Sequence, residues 1–578
     1  DVIVTAQRIP VLTLESIRGL TTITREDLQN IPVQNIQDLL SYSPGVDVKK
    51  RGPEGAQADV SIRGGSFEQT LILINGVKVS DPQTGHNNMN LPVNMEDIER
   101  IEILKGQASS IYGPNALSGA INIITRKDKR NELLLNLSGG QNGFYKGGLS
   151  FSYPLGELAN SISVSKYRTN GYRYNTDITA TTMNYNSSMQ FSSGSGNFSL
   201  GYTDKDFGAN GFYSDRYPGQ RERLKTFFSA LGLNIGLGKA LFMPRFYWRN
   251  NKDNYLLDYL KPEFYNNQHT TNSYGAELQT SMITSFGSIS LGCEIGGDDI
   301  KSSNLGDHKR VKGGISAEVS FSPINRLKIV LGAFIYNYDN YGWKYWPGID
   351  LGYSLAENVN IYCSVGKSFR IPTFTELHYS SPAQVGNPLL HPEQATTYET
   401  GVNYKTPAVT ASASAFLRKA SDLIDWIRSS SDKPWHAENI ASINTHGFDF
   451  SVSCKPELLF SALPFQKVSL NYAYLSSDLK TGIYQSRYVL DHLRHQFTAE
   501  VQHILPLEIK MSWLFRYENR FNQQDYFLTD SKLFYNYGAM EVFLQAENLF
   551  NTSYSDFSGI PMPGRWITGG IKMSINTI

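Results

Sequence analysis

Cysteine is nearly missing from this sequence: Cys293, Cys363 and Cys454 are the only three in 578 residues. They are far apart and form no CxxC, which excludes a disulfide framework and a zinc cage. Charge is scarce as well. Asp, Glu, Lys and Arg make up 18% of the chain, against about 25% in ordinary soluble domains. The two signs balance at 53 each. That argues against a nucleic-acid partner, because such binders work by neutralising phosphates. It equally excludes a solvating acidic chain. No apolar run approaches the roughly 18 residues that a membrane-spanning helix needs. Catalytic signatures are missing too. There is no HExxH and no GxSxG. Gly366-Lys367-Ser368 looks like the end of a phosphate loop, but Ile361 stands where the first glycine should be. The chain is expected not to be an enzyme.

What is present is aromatic and small. The chain carries 34 Tyr, 30 Phe and 49 Gly. Many aromatics, few charges and no apolar run are what a transmembrane β-barrel shows, because its lipid-facing and lumen-facing residues alternate. The chain divides near residue 130. Before that point it reads as an α/β mix. Thr24-Arg25-Glu26-Asp27 is a helix start, a Thr cap with a carboxylate three residues on. Asn35 can cap a second short helix with Ile36, Leu39 and Leu40 on one face, and Ser43-Pro44-Gly45 stops it. Strands are expected at 59–63, 71–74 and 98–104, with Asn75-Gly76 as a hairpin turn.

After residue 130 the period becomes two. Met183, Tyr185, Met189 and Phe191 alternate with Asn184, Asn186, Ser188 and Gln190. Gly194-Ser195-Gly196 turns the chain, and Phe198, Leu200 and Tyr202 alternate on the return. Each arm therefore has one apolar and one polar face. Residues 204–225 read as a long polar loop, and a second short turn follows at Gly238-Lys239. Short turn, long loop, short turn is the rhythm of an outer-membrane barrel. At about 20 residues per strand plus connection, the remaining chain makes about 22 antiparallel strands. A lumen of that width is usually plugged, and the first 130 residues are the expected plug.

Several stretches then resemble the TonB-dependent outer-membrane transporters. The first region carries Leu39-Leu40-Ser41-Tyr42-Ser43-Pro44-Gly45-Val46, Ser61-Ile62-Arg63-Gly64, LILINGV at 71–77, IERIEILKG at 98–106 and SIYGPNALSGAINIIT at 110–125. The second carries Phe369-Arg370-Ile371-Pro372, GNPLLHPEQATTYETG at 386–401, AENLF at 546–550 and Gly564-Arg565-Trp566. The series spans the chain in the family's order. Within the family the resemblance is closest to the cobalamin (vitamin B12) branch, on the opening Asp1-Val2-Ile3-Val4-Thr5-Ala6, KASDLIDW at 419–426 and LDHLRH at 490–495.

The resemblance implies a TonB box at residues 1–6, a plug at 7–130 and a barrel at 131–578. The chain would sit in the bacterial outer membrane among its lipids and import cobalamin or a related corrinoid. TonB would supply the energy, and a surface lipoprotein can be a further partner. The box Asp1, Val2, Ile3, Val4, Thr5 and Ala6 is rich in β-branched residues and can add as a strand to a partner's sheet edge. Plug arginines of the family pair with barrel glutamates. Arg63 matches one of them, with Lys105 or Arg100 as the second cation, and Glu393, Glu399 and Asp449 as the acidic side. Tips at 51–58 and 80–91 are expected to meet ligand through Gln57, His86, Asn87, Asn88 and Met89. The alternative is a haem or iron-siderophore receptor, with His86 and His378 as candidate axial ligands. Calcium is the other cofactor the branch admits. However, Asp177, Asp204, Asp206 and Asp215 are too scattered for a tight set of oxygen ligands.

Overall fold

A computed structural model describes residues 3–4, 11–12 and 18–576, apart from 54, 128, 215, 441, 461–462, 479–483, 490, 522 and 558. Its outer wall is a closed barrel of 22 strands, running from Glu132–Gly140 to Trp566–Asn576. These first and last strands pair antiparallel, Glu132 opposite Asn576, and close the wall. Closure matters because an open sheet edge in lipid would leave backbone donors and acceptors unsatisfied.

The alternation read in the sequence sorts the wall's two faces. Ile178–Phe191 and Gly194–Gly208 pair across the short turn, Phe191 opposite Gly194. Met183 points outward and is 49% exposed, whereas Asn184 points inward and is 7% exposed. Apolar side chains such as Ile162, Leu149, Phe246 and Leu291 are likewise exposed on the outside, the lipid face of such a barrel.

The polar stretch at 204–225 is not one loop. Its strands run on to Gly208 and resume at Arg221. Asp204 stands opposite Lys225 in the ladder. Arg223 bonds Asp204 at 2.9 Å and Arg221 reaches Asp206 at 2.6 Å. Polarity there marks wall that rises clear of lipid, held by cross-strand charge pairs, and the connection shrinks to 209–220.

Inside the barrel lies the plug. Its five-stranded sheet has the order Leu20–Thr24, Ile98–Lys105, Gly119–Thr125, Thr70–Ile74, Val77–Lys78. Asn75 and Gly76 both take positive φ, 51° and 79°, as a tight two-residue hairpin turn requires. Thr24 caps the helix Arg25–Asn30 in a full capping box with Asp27, and Asn35 caps Ile36–Leu40. Buried aliphatics from these elements, including Leu39, Leu40, Ile101, Ile103 and Ile121, form the plug core.

At the end of the barrel with the long connections, three of those connections build a second five-stranded sheet. Its strands are Ser380–Ser381, Gln384–Val385, Trp435–Ile440, Leu423–Arg428 and Gln485–Ser486. Asp425 ties it together: its carboxylate accepts the backbone N–H of Trp426 at 2.8 Å and of Tyr488 at 3.1 Å. Burial pushes Asp425 up to about 6, against the pull of these donors.

Candidate functional site

Where this outer sheet overhangs the plug, a cavity holds about 1030 Å³ of empty space. Its floor is two short turns of the plug, Phe67–Gln69 and Gly85–Asn87. Glu68 joins them by accepting the Gly85 N–H at 2.8 Å. The second turn is fixed to the wall through Asp81, which takes a hydrogen bond from Arg249 at 2.6 Å. Barrel and connections supply Tyr213, Glu222, Asp253, Tyr255, His269, Glu376, Trp426, Arg487 and Tyr488.

The cavity is rich in carboxyls, but each has a partner: Glu68 accepts the Gly85 N–H, Glu222 the Tyr213 hydroxyl and Asp253 the Gln83 amide, and Glu376 pairs with Arg370. Glu68, Glu222, Asp253 and Glu376 line it, with Arg487 as the facing guanidinium among the described residues. Burial, reinforced by Glu376 nearby, pushes the Glu68 carboxyl up to about 8. His86 stacks on Phe67 with ring centroids 4.3 Å apart. Its Nδ1 lies 2.6 Å from Asp59 and its Nε2 lies 3.4 Å from the Tyr488 hydroxyl. Burial draws His86 below the usual histidine range although Asp59 pulls the other way. Burial would raise Asp59 itself, but His86 and Arg51 hold its carboxyl well below the usual range.

The expected tip residues separate by position. His86 and Asn87 line the cavity. Asn87 is 1% exposed and its amide oxygen has no hydrogen-bond partner. Gln57 lies one layer behind, donating to the Tyr213 hydroxyl at 2.8 Å. Asn88 turns into its own tip, where its Oδ1 accepts the Asp81 N–H at 2.9 Å. Met89 is 4% exposed and packs in the plug core, which its apolar side chain prefers to a wet cavity. His378 does not join His86 in lining the cavity. It stacks flat on His308, centroids 3.6 Å apart. Cavity residues beyond the sequence reading include Glu68, Glu222, Asp253, His269, Glu376 and Arg487. A signal existed, since Glu222 keeps the inward parity of Leu224, Thr226 and Phe228.

The second constellation is ionic and lies between plug and wall. Arg63, 3% exposed and at φ 48°, donates through Nη1 and Nη2 to Glu399 at 2.8 and 3.1 Å. Its Nε donates to Asp449 at 2.7 Å. Lys105 approaches Asp449 at 3.8 Å, and burial lowers its ammonium below the ordinary lysine range. Two expectations need correcting. Glu393 does not face Arg63; it pairs with Arg370 of its neighbouring strand at 2.7 Å and takes a hydrogen bond from plug Gln69 at 2.8 Å. Arg100 bonds Glu102 two residues along its own strand at 2.8 Å. Strand parity explains the second case, because residues two apart share a face. A pair absent from the sequence reading holds the start of the plug: Arg18 donates to Asp350 of the wall at 3.0 Å.

Of residues 1–6, only Ile3 and Val4 lie within the described residues. They pair antiparallel with the strand Val11–Leu12, Ile3 opposite Leu12. The aspartates considered for calcium are engaged by cations: Arg221 takes Asp177 at 3.1 Å as well as Asp206. Asp215 lies outside the described residues. Among the described residues no three His, Cys, Asp or Glu side chains gather to hold a metal ion.

Comparison with known proteins bears on the two regions of the chain as wholes. A family model described as TonB-dependent Receptor Plug Domain matches residues 13–120. A second, TonB dependent receptor-like, beta-barrel, matches residues 122–549. The vitamin B12 transporter BtuB of Vibrio vulnificus (strain YJ016) is 23% identical over 473 residues, covering 78% of this chain and 74% of that protein. BtuB of Photobacterium profundum is 21% identical over 535 residues, covering 87% and 84%. Among solved structures, a ferric enterobactin receptor (PfeA) mutant from Pseudomonas aeruginosa superposes with a TM-score of 0.81 at 15% identity, covering 99% of this chain and 100% of that one. The Serratia marcescens hemophore receptor HasR gives 0.80 at 15%, covering 97% and 99%. At such identity these two likenesses speak for the fold alone.

Proposed function

The chain belongs to the TonB-dependent receptors, outer-membrane proteins that are not enzymes, and from that premise we propose that it imports cobalamin or a related corrinoid. The observation that carries the ligand assignment is the hydrogen-bonding character of the outer cavity. Four carboxylates, amides and hydroxyls face the Arg487 guanidinium there. A siderophore bearing several negative charges would find Arg487 as the facing guanidinium among the described lining residues, too little to neutralise it. A ligand rich in amide donors and acceptors suits this lining, and Asn87 keeps an unpaired buried amide oxygen to receive it. The curated relatives named as vitamin B12 transporters support the same reading.

Coupling follows from the family and from the ion pairs. TonB engages residues 1–6 by strand addition, where main-chain hydrogen bonds bear a pull. The pull reaches the plug through Leu20–Thr24, the edge strand of its sheet. Arg63 with Glu399 and Asp449 acts as the latch that holds the plug to the wall until then.

The test is the absorption spectrum of the purified protein after equilibration with cyanocobalamin or haemin. Retained cyanocobalamin and no retained haemin are expected. Tight haemin binding, lost on His86→Ala with His269→Ala, would give the assignment to haem, since both imidazoles line the cavity.

A further inference from the structure

A larger void lies at the opposite end of the plug. It holds about 2220 Å³ of empty space, against about 1030 Å³ in the outer cavity. It is bounded by the plug helix Arg25–Asn30 and by the wall on both sides of the closing seam, where Glu132–Gly140 meets Trp566–Asn576. The two-residue turn at Gly538-Ala539 belongs to its rim. Short turns mark the periplasmic end of such a barrel, so the void lies on the inner side.

Its lining sets a row of amides among aliphatic and aromatic side chains such as Leu28, Ile31 and Phe534. Gln29, Asn30, Gln34, Asn94, Asn136 and Gln545 all face it. Asn136 is 8% exposed, and its Oδ1 has no hydrogen-bond partner although its Nδ2 donates to Glu96 at 2.8 Å. Two lysines bridge the void's plug and wall sides: Lys532 donates to the Gln29 carbonyl at 2.7 Å and Lys146 to the Gln34 carbonyl at 3.2 Å. Ion pairs of Asp27 with Lys467 and of Glu26 with Lys455, the latter at 3.2 Å, add to the hold on the helix. A buried, unpaired amide in a roomy polar space is where water, or a ligand's amide, finds a partner.

We propose that this void is a preformed inner station on the import route, receiving the amide-rich ligand between plug and barrel seam while the plug stays in the barrel. Given import through this barrel, as proposed above, the inner void offers the imported ligand more room than the outer cavity. The barrier is then the plug sheet between them, and the plug has to shift rather than leave.

Gly148 offers a clean probe. A Cβ built there meets nothing closer than 3.8 Å, the Cβ atoms of Asn136 and Ser165, and points into the void. Gly147 beside it faces the opposite side of the wall, towards Leu137. Gly148→Trp places roughly 150–250 Å² of aromatic surface in the void, and Gly147→Trp places the same group in lipid. Uptake of radiolabelled cyanocobalamin should fall about tenfold or more in Gly148→Trp, with surface binding within about twofold of the parent. Gly147→Trp should transport like the parent and controls for assembly. Parental uptake by an assembled Gly148→Trp barrel overturns the proposal.

A second readout needs no ligand. In a background with Cys293→Ser, Cys363→Ser and Cys454→Ser, an Asn136→Cys thiol in outer-membrane fragments should react with a water-soluble maleimide. Gly148→Trp should slow that reaction and Gly147→Trp should not. An unreactive thiol, or labelling indifferent to Gly148→Trp, overturns the inner station even if the ligand proves not to be cobalamin. Failure of cyanocobalamin to bind the parent, with labelling as expected, removes the ligand reading and leaves the station.

Discussion

Arg63→Ala is the sharpest perturbation this plug offers. The side chain is 2% exposed and serves two carboxylates at once, Glu399 through both terminal nitrogens and Asp449 through Nε, with a further 2.8 Å hydrogen bond to Ser414. Removing it leaves two buried anions with Lys105 at 3.8 Å from Asp449 as remaining compensation. Breaking one side of a buried pair costs about 3–5 kcal/mol, most of it the penalty of the stranded charge. Amide hydrogen exchange of the plug in detergent reads this loss, because protection reports local opening free energy. Protection across Ala58–Ile62 and Gly119–Thr125 should fall by about two to four decades. Arg63→Lys should recover part of it, since an ammonium keeps the charge but loses the two-pronged fork. Arg63→Ala with Glu399→Ala should be less harmful than the sum of the two, with a coupling of about 0.5–3 kcal/mol. Additive effects would refute the pairing, and unchanged exchange in Arg63→Ala would refute the latch.

Three further outcomes are expected. Ile3→Pro should abolish energised uptake while leaving ligand binding at the surface nearly unchanged, because proline removes a backbone donor that strand addition uses; normal uptake would place the TonB contact elsewhere. Asn87→Ala should weaken cyanocobalamin binding by about 1–3 kcal/mol, roughly one to two decades, whereas Met89→Ala should lower plug stability by about 2–5 kcal/mol through a core cavity; equal effects on affinity would contradict their different positions. Glu68, pushed up to about 8 from an ordinary 4.5, favours the folded plug in its protonated form, so its contribution is complete below pH 4.5 and is lost progressively as pH rises to 8; plug stability should fall between pH 4.5 and 8 and level off above, and Glu68→Gln should flatten that fall.

Most of the architecture could be read from residue order. Alternation at Met183 to Tyr202, the turn at Gly194 and the capping box at Thr24 are local features, and each is decided by backbone chemistry within a few residues. The stretch from 204 to 225 misled for a physical reason. Above the membrane a strand's outer face meets water, so polarity no longer separates strand from loop, while the inward parity of Glu222 and Thr226 continues. Partners were harder to read than elements. Arg63 was identifiable as a plug cation that meets barrel carboxylates, but Glu393 and Glu399 are six residues apart on one strand, and both point inward. Which of them meets the plug depends on the height of Arg63 in the lumen, which no local pattern encodes. The same limit applies to the tip at 80–91, where Asn87 and Met89 are two residues apart yet one lines the cavity and the other fills the core.

The scarcity of charge in the whole chain gives the plug's interface its meaning. A sequence with few ions has placed many of them where plug meets wall: Arg18 with Asp350, Arg63 with Glu399 and Asp449, Lys78 with Glu294, Asp47 with Arg520. An apolar seal would cost about 25 cal/mol for every Å² parted, because the surfaces gain nothing from water. Ion pairs behave differently, since each partner recovers hydration once separated. Such an interface is specific in register at rest and separable under load. The void at the seam extends the same logic, because Asn136 keeps an unpaired amide oxygen there. Movement of the plug is then an exchange of wall contacts for water contacts, one ion pair at a time. The order in which the pairs yield follows their distance from the pulled strand, Leu20–Thr24, so Arg18 should part from Asp350 before Arg63 leaves Glu399. A spin label beside Arg18 should therefore gain mobility at lower load than one beside Arg63, and the reverse order would mean that the pull reaches the plug by another strand.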